Sequence, residues 1–324
     1  MSKINVGIDI GKAKFDAAIL FPNHKVKTKK FENKLSGFPA FIDWLKKHEA
    51  LDAHLCLEAT GAYSEALSIY LFERNHQVSV VNPAKIKGFA QSELSRNKTD
   101  KADAQLIARF CRAMEPPFWQ PKPQHIRELG DWLRRLQVLQ DLHQQEANRL
   151  DVASACVRPS IQAIMKRLQK EIYQVKQRIK AHIDQHSDLR NKQQLLETIP
   201  GIGEATIAQV LAFMGNVEDF DNAKKMAAFV GLNPKQRQSG SSVKGRTRLS
   251  KTGDSNLRKA FYMPALCAKR YNPIIKTFYD RLEATGKPPM LIIGAVMRKL
   301  VHIIYGVLKS GKAFDAQWAA SCAS

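Results

Sequence analysis

Over the first third of the chain, apolar and polar positions change with a short period. INVGIDI and KFDAAILF are β-branched apolar runs of strand length, and VKTKKFE alternates behind them. GFPAFIDWLKKH has helical spacing, AHLCLEA reads as a buried strand, and SEALSIYLFERN opens on a Ser/Glu start signal and continues as a helix. QVSVVNP predicts a strand stopped by proline, and TDKADAQLIARFCRAM predicts a helix with Thr99 as its N-cap. Three strands followed by helix, strand, helix, strand and helix predict a mixed α/β layered domain over residues 1–120. The proline-rich EPPFWQPKP closes it.

Over residues 121–188 the period lengthens. Leu168, Ile172, Val175, Ile179 and Ile183 recur every three or four residues, and IRELGDWLRRLQVLQDLHQQEANRL before them is leucine-striped. Two long helices broken near Arg158-Pro159 are predicted, as a coiled-coil hairpin or an oligomer seam; a bundle within one subunit is the alternative. Residues 189–324 are mainly helical with glycine punctuation. Within them LLETIPGIGEATIAQVL has the pattern of a helix-hairpin-helix: Pro200 ends one helix, Gly201 and Gly203 permit a tight turn, and Ala205 and Ala208 follow. Backbone amides at such a turn can hold a DNA phosphate without reading sequence, although the same hairpin can also serve packing alone.

Charge narrows the function classes. The 324 residues include 51 Lys and Arg against 30 Asp and Glu, a net charge of +21. Polyanions are the natural partners, nucleic acid before an anionic membrane surface. No run approaches the roughly 20 apolar residues a membrane span needs, so no membrane partner is expected. The N-terminus runs straight into a strand without a signal-peptide layout. Five cysteines lie far apart, without CxxC or zinc spacing, which argues against a disulfide framework and fits a reducing cytoplasm.

Four carboxylates can converge. Asp9 lies inside the first strand, Glu58 ends a later one, and Asp100 and Asp103 are three apart on a helix face. Oxygen ligands gathered at one point repel each other unless a cation sits among them. Mg²⁺ (or Mn²⁺) prefers such donors and can assist an in-line phosphoryl displacement. Arg96, Lys98 and Lys101 surround the helix pair, giving an acidic pocket with a basic rim suited to phosphate. Each acid taken alone has a plainer explanation, as a helix N-terminal charge or a solvated side chain.

From Lys235 to Lys259 there are eight basic residues and one acidic, Asp254. A mobile arm that neutralises phosphates is one reading, with Lys244, Arg246, Arg248 and Lys251 as contacts. A serine hydroxyl held beside guanidinium groups is also what nucleophilic attack on a phosphodiester requires. Composition leaves both open.

The topology and the Asp–Glu–Asp–Asp order resemble the RNase H-like (RuvC-like) fold of Holliday-junction resolvases. GIDIGKAKFDAAI also resembles the first phosphate motif of actin-like ATPases, but no second glycine-rich lobe follows. The tetrad, the leucine-striped middle, IPGIGEATIAQVLAFMG, FVGLNPKQRQSGSSVKGRTRLSKTGDSNLRKAFYMPA and GVLKSG together resemble the DEDD transposases of the IS-one-ten type, essentially end to end. That resemblance implies an α/β plus α chain: a RuvC-like domain at 1–120, coiled-coil helices at 121–188, and a helical domain with a helix-hairpin-helix and serine loop at 189–324. It implies a tetrad of Asp9, Glu58, Asp100 and Asp103 and a nucleophile at Ser239, leaving Ser241 and Ser242 as loop or phosphate-contact residues. It further implies a phosphoserine intermediate, a bridge RNA guiding target and donor DNA, and a dimer or tetramer with composite sites. A metal nuclease without a serine nucleophile and a non-catalytic DNA binder are the competing functions.

Overall fold

A computed structural model describes residues 3–93, 99–239 and 243–317 of the chain. It divides into two compact units, Met1–Lys122 and Pro123–Ser324.

The first unit is built on strands β1 (Asn5–Ile10), β2 (Lys14–Leu20), β3 (Val26–Glu32), β4 (His54–Glu58) and β5 (Gln77–Val81). They form one sheet in the order β3-β2-β1-β4-β5. The first three strands pair antiparallel, and β1–β4 and β4–β5 pair parallel. Between and after them run helices α1 (Phe38–Lys47), α2 (Ala62–Phe72), α3 (Pro83–Ser92) and α4 (Asp100–Met114).

Strand alternation divides the sheet residues between two cores. Val6, Ile8, Phe15, Ala17, Ile19, Phe31, Leu55 and Leu57 share one core with Phe38, Phe41, Trp44 and Leu71 of α1 and α2. The rings of Phe15, Phe31 and Phe41 meet at 5.2 to 5.4 Å. Cys56 and Val81 face the other way, against Ile86 of α3 and Leu106, Ile107, Phe110 and Cys111 of α4. Each fully buried Val, Leu, Ile or Phe side chain among them contributes about 2 kcal/mol. Because neighbours on a strand point to opposite faces, the residues next to the first set, Asp9, Asp16, Lys30 and Glu58, lie on the α4 face.

Helix α3 is not anticipated by the hydrophobic pattern. Only Ile86 of its ten residues is buried, so the stripe is too thin to read. Its start signal is nevertheless present: Asn82 caps it through a 2.8 Å bond from the Ala84 amide to Oδ1, and Pro83 occupies the first turn.

The second unit begins with α5 (Gln124–Val152) and α6 (Arg158–Gln185), which fold back on each other along their length. Val175, Ile179 and Ile183 of the predicted stripe are buried; Leu168 and Ile172 are partly so. The base of this hairpin shares its core with α7 (Ser187–Glu197), α8 (Glu204–Met214), α9 (Ala223–Phe229), α10 (Ser255–Ala260), α11 (Tyr262–Tyr271), α12 (Pro273–Ala284) and α13 (Pro289–Ser310). Helix α13, at 22 residues, is long and apolar enough to cross a membrane, contrary to the expectation that no run approaches that length. Ten of its residues are buried in the core of the unit, which accounts for its composition.

Within the basic stretch, for which no strands are predicted, lies an antiparallel strand pair, β6 (Pro234–Ser239) and β7 (Val243–Leu249), with an irregularity between Lys235 and Arg237. Val243, Thr247 and Leu249 alternate with other residues, but lysine and arginine between them hide the period-2 pattern.

Candidate active site

The α4 face of the first sheet positions the acidic residues. Asp9 and Asp16 are direct cross-strand partners, as are Asp16 and Lys30, and such partners stand on one face. Glu58 ends β4, next to β1. Asp100 and Asp103 occupy the first turn of α4, where the helix dipole favours negative charge. The Thr99 hydroxyl caps that turn, accepting from the Ala102 amide at 3.2 Å.

Three contacts set α4 against the sheet. At its C-terminal end Arg112 donates to the carbonyls of Leu20 and Phe21 at 3.0 and 2.7 Å. In its middle Gly7 lets the helix backbone approach: a Cβ there would stand 2.1 Å from the Ala104 carbonyl oxygen and 2.2 Å from the Ala108 nitrogen. At its N-terminal end Lys30 Nζ lies 3.1 Å from Asp16 Oδ2 and 3.7 Å from Asp100 Oδ2.

This arrangement brings Asp9, Glu58, Asp100 and Asp103 under one field. The Asp9 carboxyl is pushed up to about 6, first by partial burial, then by the charges of Asp103, Asp100, Glu58 and Asp16. An all-oxygen donor set in a shared negative potential is what a hard divalent cation requires. The set is not closed, however: among the described residues no three His, Cys, Asp or Glu side chains stand ready around one ion. Asp16 and Lys30 were missed in the sequence because their relevance depends on register; the alternation of VKTKKFE places Lys30 on this face only once β3 is paired. Lys101 is exposed beside Asp100, whereas Arg96 and Lys98 lie outside the described residues.

In the second unit, Ser239 ends β6 opposite Val243. Its side chain and those of Lys244 and Arg246 lie outside what is described, as do Ser241 and Ser242 altogether. Arg248 is exposed, and Lys251 follows with a left-handed φ of 54°. The base of the strand pair is fastened: Arg258 donates to the carbonyls of Val230 and Lys251 at 3.2 and 3.4 Å, and the Ser250 amide donates to Asn233 at 2.9 Å.

Helix α7 stops at Glu197, before Pro200, since a residue preceding proline is disfavoured in the α region. The turn to α8 then passes through Gly201, with φ at 96°, whose missing side chain accommodates Ala268 of α11: a Cβ would lie 2.6 Å from its Cα. Buried Asn272 donates to the Pro200 carbonyl at 3.3 Å. Gly201 therefore has a packing duty. Gly203, the N-cap of α8, is exposed, with open space where a Cβ would stand. Glu204 beside it is also exposed at the helix start and would compete with a phosphate there.

Comparison with known proteins matches both units. Residues 6–153 match a DEDD transposase family of the IS110 type, and residues 193–280 match the transposase IS116/IS110/IS902 family. A pilin gene-inverting protein of Moraxella lacunata is 35% identical over 319 residues, covering 97% of this chain and 98% of the relative. The pilin gene-inverting protein of Moraxella bovis aligns to the same extent. The transposase for insertion sequence element IS1328 of Yersinia enterocolitica is 25% identical over 285 residues, 76% of this chain and 81% of that protein. The chain therefore belongs to the IS110-type family of DEDD transposases, enzymes that rearrange DNA.

Proposed function

We propose that this chain cuts and rejoins DNA strands as an insertion-sequence recombinase, with Asp9, Glu58, Asp100 and Asp103 as metal ligands and Ser239 as nucleophile. The observation that carries the reading is the gathering of carboxylates at Asp9, whose own carboxyl is pushed up to about 6 by partial burial first and then by the charges of Asp103, Asp100, Glu58 and Asp16. An enzyme tolerates such mutual repulsion where a cation relieves it. DEDD transposases typically use a divalent metal; bound here, Mg²⁺ or Mn²⁺ would supply charge stabilisation for the phosphoryl displacement. The strand order β3-β2-β1-β4-β5, antiparallel and then parallel, supports a RuvC-like fold for the first unit.

The Ser239 hydroxyl attacks the scissile phosphorus and loses its proton. The bond from phosphorus to the leaving deoxyribose oxygen breaks, and that oxygen takes up a proton. Attack by a strand hydroxyl on the phosphoserine reverses the chemistry and rejoins DNA without ATP. The basic strand pair with Lys244, Arg246 and Arg248, and Lys251 after it, neutralises backbone phosphates, as do Arg96, Lys98 and Lys101, which flank Asp100 in the sequence. At the helix-hairpin-helix turn, Gly201 packs against α11 and exposed Gly203 is the position open to a phosphate, with Glu204 beside it opposing one. A bridge RNA, by pairing with target and donor DNA, selects the sites, and a dimer or tetramer assembles serine and acids. The full-length likeness to proteins named for inverting a pilin gene supports a cut-and-rejoin reaction over simple hydrolysis.

The test is a covalent adduct. Protein, guide RNA, labelled DNA and Mg²⁺ are run on a denaturing gel for wild type, Ser239→Ala, Ser241→Ala and Asp9→Ala. An adduct lost in Ser239→Ala and Asp9→Ala but kept in Ser241→Ala is the expected result. Cleaved DNA without adduct, unaffected by Ser239→Ala, would mean a metal nuclease that uses water.

A further inference from the structure

A half-exposed lysine stands beside the acids. Asp9, Asp16 and Lys30 form a row across β1, β2 and β3, each the direct partner of the next. Two carboxylates opposite each other on adjacent strands repel, and Lys30 is the cation that answers them. Its Nζ is anchored on Asp16, whose side chain is only 15% exposed, at 3.1 Å. It reaches Asp100, 72% exposed, at a looser 3.7 Å. One end of this bridge is firm, and the other can open.

We propose that Lys30 is a resident counter-ion of the acidic site, which draws Asp100 away from Asp9 and which a divalent metal must displace from Asp100. The inference rests on the reading of the tetrad as metal ligands. It accounts for the unclosed donor set: no three carboxylates stand ready around one ion among the described residues, while Asp100 Oδ2 lies 3.7 Å from the Lys30 ammonium. Without a metal, the lysine offsets the repulsion among Asp9, Asp16, Glu58, Asp100 and Asp103 and ties the first turn of α4 to the sheet. A dication offers the same carboxylates twice the charge and directed coordination. The ammonium, on a flexible four-carbon stem, can give up Asp100 and keep Asp16.

Competition of this kind has a measurable size. A unit charge within roughly 6 Å of a dication, at the dielectric of water, alters its affinity about tenfold, and physiological salt reduces this to threefold or so. The experiment titrates the full-length protein with Mn²⁺ by calorimetry, without nucleic acid, for wild type, Lys30→Met, Lys30→Gln, Lys30→Arg and Asp9→Asn. Expected are three- to tenfold tighter binding in Lys30→Met and Lys30→Gln, wild-type affinity in Lys30→Arg, and loss of the site in Asp9→Asn. Unchanged or weaker binding in both neutral variants, with Asp9→Asn still abolishing the site, would overturn the counter-ion role alone. Wild-type binding in Asp9→Asn, or no binding in any of the proteins, would overturn the metal reading and the counter-ion with it. Circular dichroism on the same samples separates a folding defect from either result, and Lys30→Gln carries the test if Lys30→Met fails to fold.

Discussion

Replacing Gly7 with alanine should damage activity far more than its size suggests. The added Cβ would stand 2.1 Å from the Ala104 oxygen, 2.2 Å from the Ala108 nitrogen and 2.9 Å from the Ala108 Cα. All three are backbone atoms of a hydrogen-bonded helix and cannot rotate aside. Restoring ordinary contact requires α4 to withdraw from β1 by roughly 1 Å, an overpacking strain of about 1–3 kcal/mol. Asp100 and Asp103 travel with the helix, whereas Asp9 and Glu58 stay with the sheet. A misplacement of about 1 Å in a catalytic constellation can cost on the order of a hundredfold in rate. The assay pairs urea denaturation with the rate of metal-dependent strand cleavage, and takes Gly88→Ala as the control. Gly88 lies in α3, and a Cβ added there would meet nothing within 4 Å, so alanine should stabilise by about 0.5–1 kcal/mol at unchanged rate. A Gly7→Ala protein with wild-type denaturation midpoint and rate would refute the claim that close approach of α4 to β1 builds the site.

Asp9→Asn should raise metal-free stability at pH 7. The native carboxyl titrates near 6 against 3.8 unfolded, so the native state holds more protons between those values and wild-type stability falls as pH rises from about 4 to 6. The variant should lose that slope and gain on the order of 1 kcal/mol, solvent screening considered, as read by thermal melts across pH; Mg²⁺ should then stabilise wild type and not the variant. Gly201→Ala, strained at φ 96° and blocked by Ala268, should cost about 2–4 kcal/mol in urea melts. Gly203→Ala meets nothing and should leave stability within about 1 kcal/mol. A loss of DNA affinity in Gly203→Ala would therefore report on phosphate binding rather than folding. Arg248→Ala should weaken DNA binding uniformly across sequences and lower the slope of log K against log salt by about 1, measured by fluorescence anisotropy.

Most of the architecture was legible because it is local. The strands of the first unit alternate, the helix capped by Thr99 announces itself, and the stripe at Val175, Ile179 and Ile183 repeats at helical spacing. Where a local signal was weak or overlaid, reading failed. Helix α3 buries one residue and shows no stripe. The β6–β7 pair hides its alternation under arginine and lysine. The apolar content of α13 has two physical uses, and only its burial in the helical core distinguishes them.

The same division runs through the site. Sequence by itself determined the kinds of residue available: four acids at strand ends and on one helix turn, a serine among cations, and a net charge made for polyanions. Tertiary structure alone decided which of them share a potential. Cross-strand register sets Asp16 opposite Asp9 and Lys30 opposite Asp16. Close packing at Gly7 brings the α4 carboxylates to the same face. Electrostatic interaction depends on distance through space and on burial, and neither quantity is encoded by position along the chain.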